Sequence, residues 1–212
     1  LEEADLKLKD IDAFAVTYGP GLEGALLIGL STAKTLAYLL KKPLIAVNHL
    51  HGHIFANFIN NELLNSFICL IVSGGHTQLL LVKDLFEIEI LGQTRDDAAG
   101  EAFDKIARYL GLGYPGGPII EELSLAGSDK AFNFPRAMLK QGYEFSFSGL
   151  KTAVIQQIHK LKAQNQEINI PNICASFQRA VIDILVFKAI KACKEHNISN
   201  LVLSGGVIAN SA

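Results

Sequence analysis

Apolar residues recur with two different periods along this chain, and the change of period divides it. Ile11 to Val16 reads as a buried strand, ended by Tyr18-Gly19-Pro20-Gly21. Leu22, Leu26, Leu30, Ala33, Ala37 and Leu40 then recur at steps of three and four, which predicts a helix. Pro43 to Val47 is a second strand, and the run after it reads as a helix through Phe58. This strand-helix-strand-helix order implies parallel strands joined by right-handed crossovers.

From Phe67 the pattern changes. Phe67 to Val72 is a strand, Ser73-Gly74-Gly75-His76 a tight turn, Gln78 to Val82 a returning strand and Phe86 to Leu91 a third. The connections are too short for crossovers, so the three form an antiparallel meander. Ala99 to Leu110 reads as a helix, with Glu101/Lys105 and Asp104/Arg108 spaced for ion pairs one turn apart. A Gly/Pro-rich break follows from Gly111 to Pro118, and the stretch from Gly127 to Pro171 is less regular, with one helix over Leu150 to Lys162. Asn172 to His196 is a long amphipathic helix with Phe177, Val181, Ile184 and Phe187 inward. Leu201-Val202-Leu203 is a final strand, ended by Ser204-Gly205-Gly206 and the first turn of another helix.

The resulting fold class is α/β. A meander, a helix and a parallel strand make the opening of a ribonuclease-H-like lobe, and residues 1–65 look like the second half of another. The expected division is therefore 1–65 and 66–212, with a helical insertion over about 112–170 and both ends of the molecule missing.

Composition narrows the class. Half of the 212 residues are hydrophobic and 19% charged, which excludes a disordered chain. The mean hydropathy of +0.28 raises the question of a membrane span. Every apolar run is strand-sized, however, short of the roughly twenty residues a spanning helix needs. The excess is better assigned to buried strands. Cys69, Cys174 and Cys193 form no Cys-x-x-Cys pair and read as reduced core thiols of a cytoplasmic protein. A net charge of −2 gives no global electrostatic case for nucleic acid. Local lysines (Lys41 and Lys42; Lys160 and Lys162; Lys188, Lys191 and Lys194) read as solvated helix faces.

Two features carry chemistry. His49 and His53 stand one helical turn apart, so their imidazoles share a face that can grip one metal ion. Taken alone, the pair fits ordinary polar residues at a helix start better. The two Ser-Gly-Gly turns each follow a strand, where glycine lets backbone amides approach an anion. The second is expected to open a helix and add its dipole. On spacing alone, Asp104 reads as the ion-pair partner of Arg108, and His76 as a residue that orders its turn.

Six ordered stretches together resemble one family. They are Asn48-His49-Leu50-His51-Gly52-His53; Val72-Ser73-Gly74-Gly75-His76-Thr77-Gln78; Asp96-Asp97-Ala98-Ala99-Gly100-Glu101-Ala102-Phe103-Asp104-Lys105; Tyr114-Pro115-Gly116-Gly117-Pro118; Phe145-Ser146-Phe147-Ser148-Gly149-Leu150-Lys151; and Ser204-Gly205-Gly206-Val207-Ile208-Ala209-Asn210. The chain resembles the tRNA N6-adenosine threonylcarbamoyltransferases, long called O-sialoglycoprotein endopeptidases, from about Ile11 onward. The resemblance implies an actin/Hsp70/sugar-kinase-like fold. It also implies transfer of threonylcarbamoyl from threonylcarbamoyl-AMP to N6 of the adenosine 3′ of the anticodon, in tRNAs reading codons that begin with A. It implies one divalent metal ion, Fe(II) or Zn(II), on His49 and His53. Substrate contacts fall on Ile71, Val72, Ser73, Gly74 and Gly75, and on Asp104, Gly117 and Asn210. The implied partners are tRNA, a paralogous non-catalytic subunit and an ATPase subunit, with no membrane.

His51 departs from the family pattern and is expected to be exposed. A third metal ligand, an aspartate, is expected beyond Ala212, and a phosphate-facing hairpin before Leu1, so this piece alone is expected to bind metal weakly and transfer little. A metallopeptidase is disfavoured because Leu50 follows His49, where a His-Glu-x-x-His enzyme needs its glutamate base. A non-catalytic scaffold is disfavoured by the retained histidine pair, and a sugar or acetate kinase by the six motifs.

Overall fold

Short connections and strand-ending glycines dictate most of the observed topology. The computed structural model describes residues 1–84 and 87–212, with Glu2 described by its backbone only. The chain divides into two compact units, Leu1–Asn61 and Glu62–Ala212.

In the first unit, β1 (Phe14–Gly19) and β2 (Leu44–Asn48) pair in parallel, Phe14 opposite Leu44, and α1 (Glu23–Leu40) connects them. β1 begins three residues later than the apolar run, because a short 3-10 turn occupies Leu8–Asp10 and the ladder opens with Phe14 N–H on the Pro43 carbonyl. It runs on through Gly19, which pairs with Asn48 across a bulge. Neither strand is the buried element expected: Ile45 is 52% exposed, and Leu27, Ile28, Tyr38 and Leu39 of α1 are also exposed. Two strands and one long helix cannot cover one another's faces. α2 (His49–Phe55) follows β2 directly, with the Asn48 side chain accepting from Leu50 N–H at 2.9 Å, and a 3-10 turn carries it through Phe58.

The second unit holds a four-stranded sheet in the order β5-β4-β3-β6. β3 (Phe67–Val72), β4 (Thr77–Val82) and β5 (Ile88–Gln93) form the expected meander, and β6 (Leu201–Ser204) joins β3 in parallel. The expected start of the third strand at Phe86 lies outside the described residues. β3 and β4 are buried along their whole length. Ile68, Leu70 and Val72 of β3, with Leu79 and Leu81 of β4, pack into one core with α3 (Ala99–Tyr109), α5 (Ser148–Ala163) and α6 (Ile170–Glu195).

Four expectations change here. The Gly/Pro break contains a helix, α4 (Gly116–Ser124), because Pro118 lies in the first turn, where its missing N–H costs no hydrogen bond. Phe187 is 41% exposed, and Lys188, expected on a solvated face, is fully buried instead. Its ammonium donates to the carbonyls of Met138, Gln141 and Gly142 at 2.8, 2.9 and 3.3 Å, which satisfies it and ties the irregular segment to α6. Burial, with Lys191 nearby, pushes this amine down to about 8. Finally, Gly206–Ala209 is a 3-10 turn of four residues, not the start of an α-helix, so no helix dipole acts there.

Aspartates pin the helices. Asp96 accepts from Phe147 N–H at 2.8 Å and Ser148 N–H at 3.2 Å, capping α5 from a distant loop. Asp97 bridges Lys105 of α3 and Lys151 of α5 at 2.5 and 2.6 Å. The cysteines carry no disulfide, and burial raises the Cys69 thiol to about 12 and Cys174 to about 11. Among the described residues, no helix is long and apolar enough to cross a membrane.

Gly205 adopts φ +98°, and a Cβ there would sit 2.3 Å from the Val72 carbonyl oxygen. Gly205→Ala should therefore cost roughly 2–3 kcal/mol of unfolding free energy in denaturant titration. Gly206→Ala, which meets open space, should stay within about 0.5 kcal/mol of the parent. Partial burial works against the Asp97 charge, yet the Lys105 and Lys151 ammonium groups hold its carboxyl below the ordinary 3.8. The unfolded chain then binds the proton more readily, so this contribution is complete above the ordinary value and lost as pH falls through the lower folded one. Asp97→Asn should cost roughly 2 kcal/mol at neutral pH, and thermal melts from pH 5 to 2 should show a shallower acid decline than the parent.

Candidate functional site

The second unit carries a cavity of about 290 Å³ where the ends of β3 and β6 meet the N-terminal turns of α3 and α4. The meeting is made by backbone contact. Gly100, near the start of α3, leaves no room for a Cβ, which would lie 2.6 Å from the Ser73 carbonyl oxygen. Gly205 presses on Val72 in the same way, and Gly116 abuts Phe103, Asp104 and Ala107. A second set of glycines, Gly74, Gly75, Gly117 and Gly206, faces open space. Of these, Gly74, Gly117 and Gly206 line the cavity. Nothing in the protein's own packing requires glycine at those positions.

The turn after β3 is closed by its own ends. Ser73 N–H donates to the His76 carbonyl at 2.8 Å, and His76 N–H to the Ser73 hydroxyl at 3.1 Å. Among the described residues, the Gly74 and Gly75 amides take no internal acceptor, and both residues are exposed. Neither has positive φ, so their smallness, and not an unusual backbone, is what the site uses. Ile71 and Val72 place their side chains in the core, fully buried, and hold the turn from beneath.

Asp104 does not pair with Arg108. Its Oδ1 accepts from Gly116 N–H at 2.7 Å and caps α4, a contact between residues that spacing along one helix does not reveal. Its second oxygen takes no partner among the described residues, and the side chain lines the cavity. Asn210 also lines it; the side-chain N–H₂ donates to Gln178 Oε1 of α6 at 2.8 Å and Oδ1 accepts from Ala212 N–H at 3.1 Å. Buried Gln178 in turn donates to Ser124 Oγ at 3.0 Å, so the glutamine that holds the asparagine is itself held between α6 and α4. Gly74, Asp104, Gly117 and Asn210 are thus brought around one cavity.

Sequence reasoning passed over Tyr114 and Glu121, which share that lining. Glu121 Oε1 accepts from Ser211 N–H at 2.8 Å and its hydroxyl at 2.6 Å, and these bonds hold its carboxyl below the usual range. The available signal was the apolar spacing of Ile119, Ile120 and Leu123 behind Pro118, which marks α4 and places Glu121 on its face.

In the first unit, His49 and His53 stack edge to face with ring centroids 4.6 Å apart, so α2 does present both imidazoles together. The two rings suit a borderline cation such as Zn(II) or Fe(II) as a pair of nitrogen ligands. Among the described residues, no group of three or more His, Cys, Asp or Glu side chains gathers into a metal site. His51 is exposed and meets the Phe55 ring, as expected for the opposite face.

Comparison with known proteins places these features. The chain is 56% identical over 214 residues to a tRNA N6-adenosine threonylcarbamoyltransferase of Clostridium novyi, and 54% identical over 212 residues to that of Caldicellulosiruptor saccharolyticus. In both cases all of this chain and 63% of the relative are covered, so the chain spans under two thirds of these curated relatives. Among solved structures, component A of the (R)-2-hydroxyglutaryl-CoA dehydratase of Acidaminococcus fermentans matches 99% of this chain and 66% of its own, with TM-score 0.51 and 17% identity. That likeness is one of fold, the α/β fold of the actin/Hsp70/sugar-kinase type. The TsaD family model matches residues 1–212 without a break, and the chain belongs to the tRNA N6-adenosine threonylcarbamoyltransferase family.

Proposed function

We propose that this chain binds threonylcarbamoyl-AMP in the glycine-lined cavity and takes part in transferring its threonylcarbamoyl group to N6 of the adenosine 3′ of the anticodon. The observation that carries this is the split among the cavity glycines: one set is demanded by the protein's own backbone contacts, the other faces open space. The Gly74 amide at the cavity wall, with that of Gly75 next to it in the turn, would donate to the phosphate or to the oxyanion that develops on the carbamoyl carbon. Asp104 and Glu121, each with one oxygen engaged by the protein, offer the other to ribose hydroxyls or substrate amides. Asn210, held by Gln178, orients the substrate from the β6 side. Ile71, Val72 and Ser73 complete the loop as its support.

His49 and His53 would hold one divalent ion, Fe(II) or Zn(II), with further ligands supplied from outside the pair. Bound, such an ion acts as a Lewis acid toward carbamoyl or phosphate oxygens. The acceptor is tRNA, and the working assembly includes a paralogous non-catalytic subunit and an ATPase subunit. Three unpaired thiols fit a reducing, cytoplasmic setting.

The direct test is calorimetric titration of the chain with threonylcarbamoyl-AMP, with AMP as competitor. Saturable, AMP-sensitive binding is expected, and no binding at millimolar donor overturns the reading. Gly117→Val and Gly74→Val should weaken that binding at least about ten-fold by filling the ligand's space while leaving the melting temperature unchanged. Equal affinity in both variants would show that the ligand lies elsewhere. For the metal, His49→Ala and His53→Ala should each lower Zn(II) affinity roughly 10- to 100-fold; an affinity unaltered by either change removes the pair as ligands.

A further inference from the structure

Tyr114 is 78% exposed and, among the large apolar side chains left exposed on the described residues, it is the one that lines the cavity. It stands between Gly113 and Pro115, the latter forming the N-terminal boundary of α4, and lines the cavity together with Gly117. An aromatic ring exposed in the lining of a small cavity offers a flat face on which another ring can stack. Its neighbours define what can cover it. The carboxylates of Asp104 and Glu121 line the same cavity and repel a phosphate, while the Gly74 amide, without an acceptor in the protein among the described residues, attracts one. The flat, uncharged part of a nucleotide is therefore the part that fits against Tyr114. We infer that Tyr114 is the base-stacking residue of the site and takes an adenine ring on its exposed face.

This rests on the transferase reading and extends it by assigning the base. Adenine occurs in both substrates, in the AMP of the donor and in the target nucleotide of the tRNA, and stacking on tyrosine serves either. Tyr114 is a binding residue in this scheme: it touches the ring and moves no proton.

The chain contains no tryptophan, so Tyr114→Trp creates a single fluorescent reporter at the cavity wall. Saturable quenching by AMP, absent with ribose 5-phosphate, assigns the donor's adenine. Quenching by an unmodified anticodon stem-loop RNA but not by AMP assigns the acceptor's. Either result supports the inference, and no quenching by AMP or RNA overturns it. In parallel, Tyr114→Ala should weaken binding of the quenching ligand roughly ten-fold or more, the range that base–aromatic stacking supplies, while Tyr114→Phe stays near the parent. Parental affinity in Tyr114→Ala rejects stacking even where the wild-type chain binds threonylcarbamoyl-AMP, which leaves the transferase reading standing. A wild-type chain that binds no nucleotide ends both.

Discussion

The cavity exists because three chain segments meet with no side chains between them. The end of β3 is touched by the start of α3 at Gly100 and by the end of β6 at Gly205, each at distances a Cβ would violate. Backbone against backbone is the closest approach two segments can make, and it converges two strand ends and a helix start on one small volume. The glycines that then face inward add no bulk of their own. Removing side chains thus does two jobs within a few residues: it lets the frame close, and it leaves room at its centre.

Polar groups around this frame are committed to structure before they can serve chemistry. Asp96, Asp97 and Asp104 each accept bonds that fix a helix: α5, the α3–α5 bridge and α4, respectively. Thr77 Oγ1 accepts from Ala99 N–H at 2.9 Å and ties α3 to β4 in the same way. A carboxylate has more acceptor sites than one cap consumes, so Asp104 can hold α4 with one oxygen and present the other to the cavity. The site is rigid where it is built from such double use. α6 supplies further supports: Gln178 ties it to Ser124 of α4, and the buried Lys188 anchors the irregular segment around Met138 to it.

The first unit follows a different economy. Its two strands and long helix leave many apolar side chains exposed, and its chemistry-bearing side chains follow the β2–α2 junction. Asn48 both ends the strand and caps the helix, and the histidines follow at once on the helix's first turn and a half. The cap sets where α2 begins, and the two imidazoles meet with ring centroids 4.6 Å apart on its first turns. That meeting is what sequence spacing alone could not guarantee for a His-x-x-x-His pair, which is common in proteins.

Apart from α4 and the last turn, the order of elements, the meander, the parallel return of β6 and the histidine face of α2 were legible in the sequence, since each depends on period, connection length or spacing within about one turn. So were Gly74, Asp104, Gly117 and Asn210 as residues of interest, through their ordered motifs. What the sequence could not show was partnership across distance. Asp104 caps α4 twelve residues away, Lys188 is solvated by carbonyls some forty-six to fifty residues away, and Tyr114 and Glu121 enter the cavity just before and on a helix that two prolines disguised. A hydrogen bond or a backbone contact between distant segments leaves no periodic trace in composition. Sequence determined which elements form; tertiary structure decided which glycines are needed by the fold, which are free for a ligand, and which polar atoms remain to meet it.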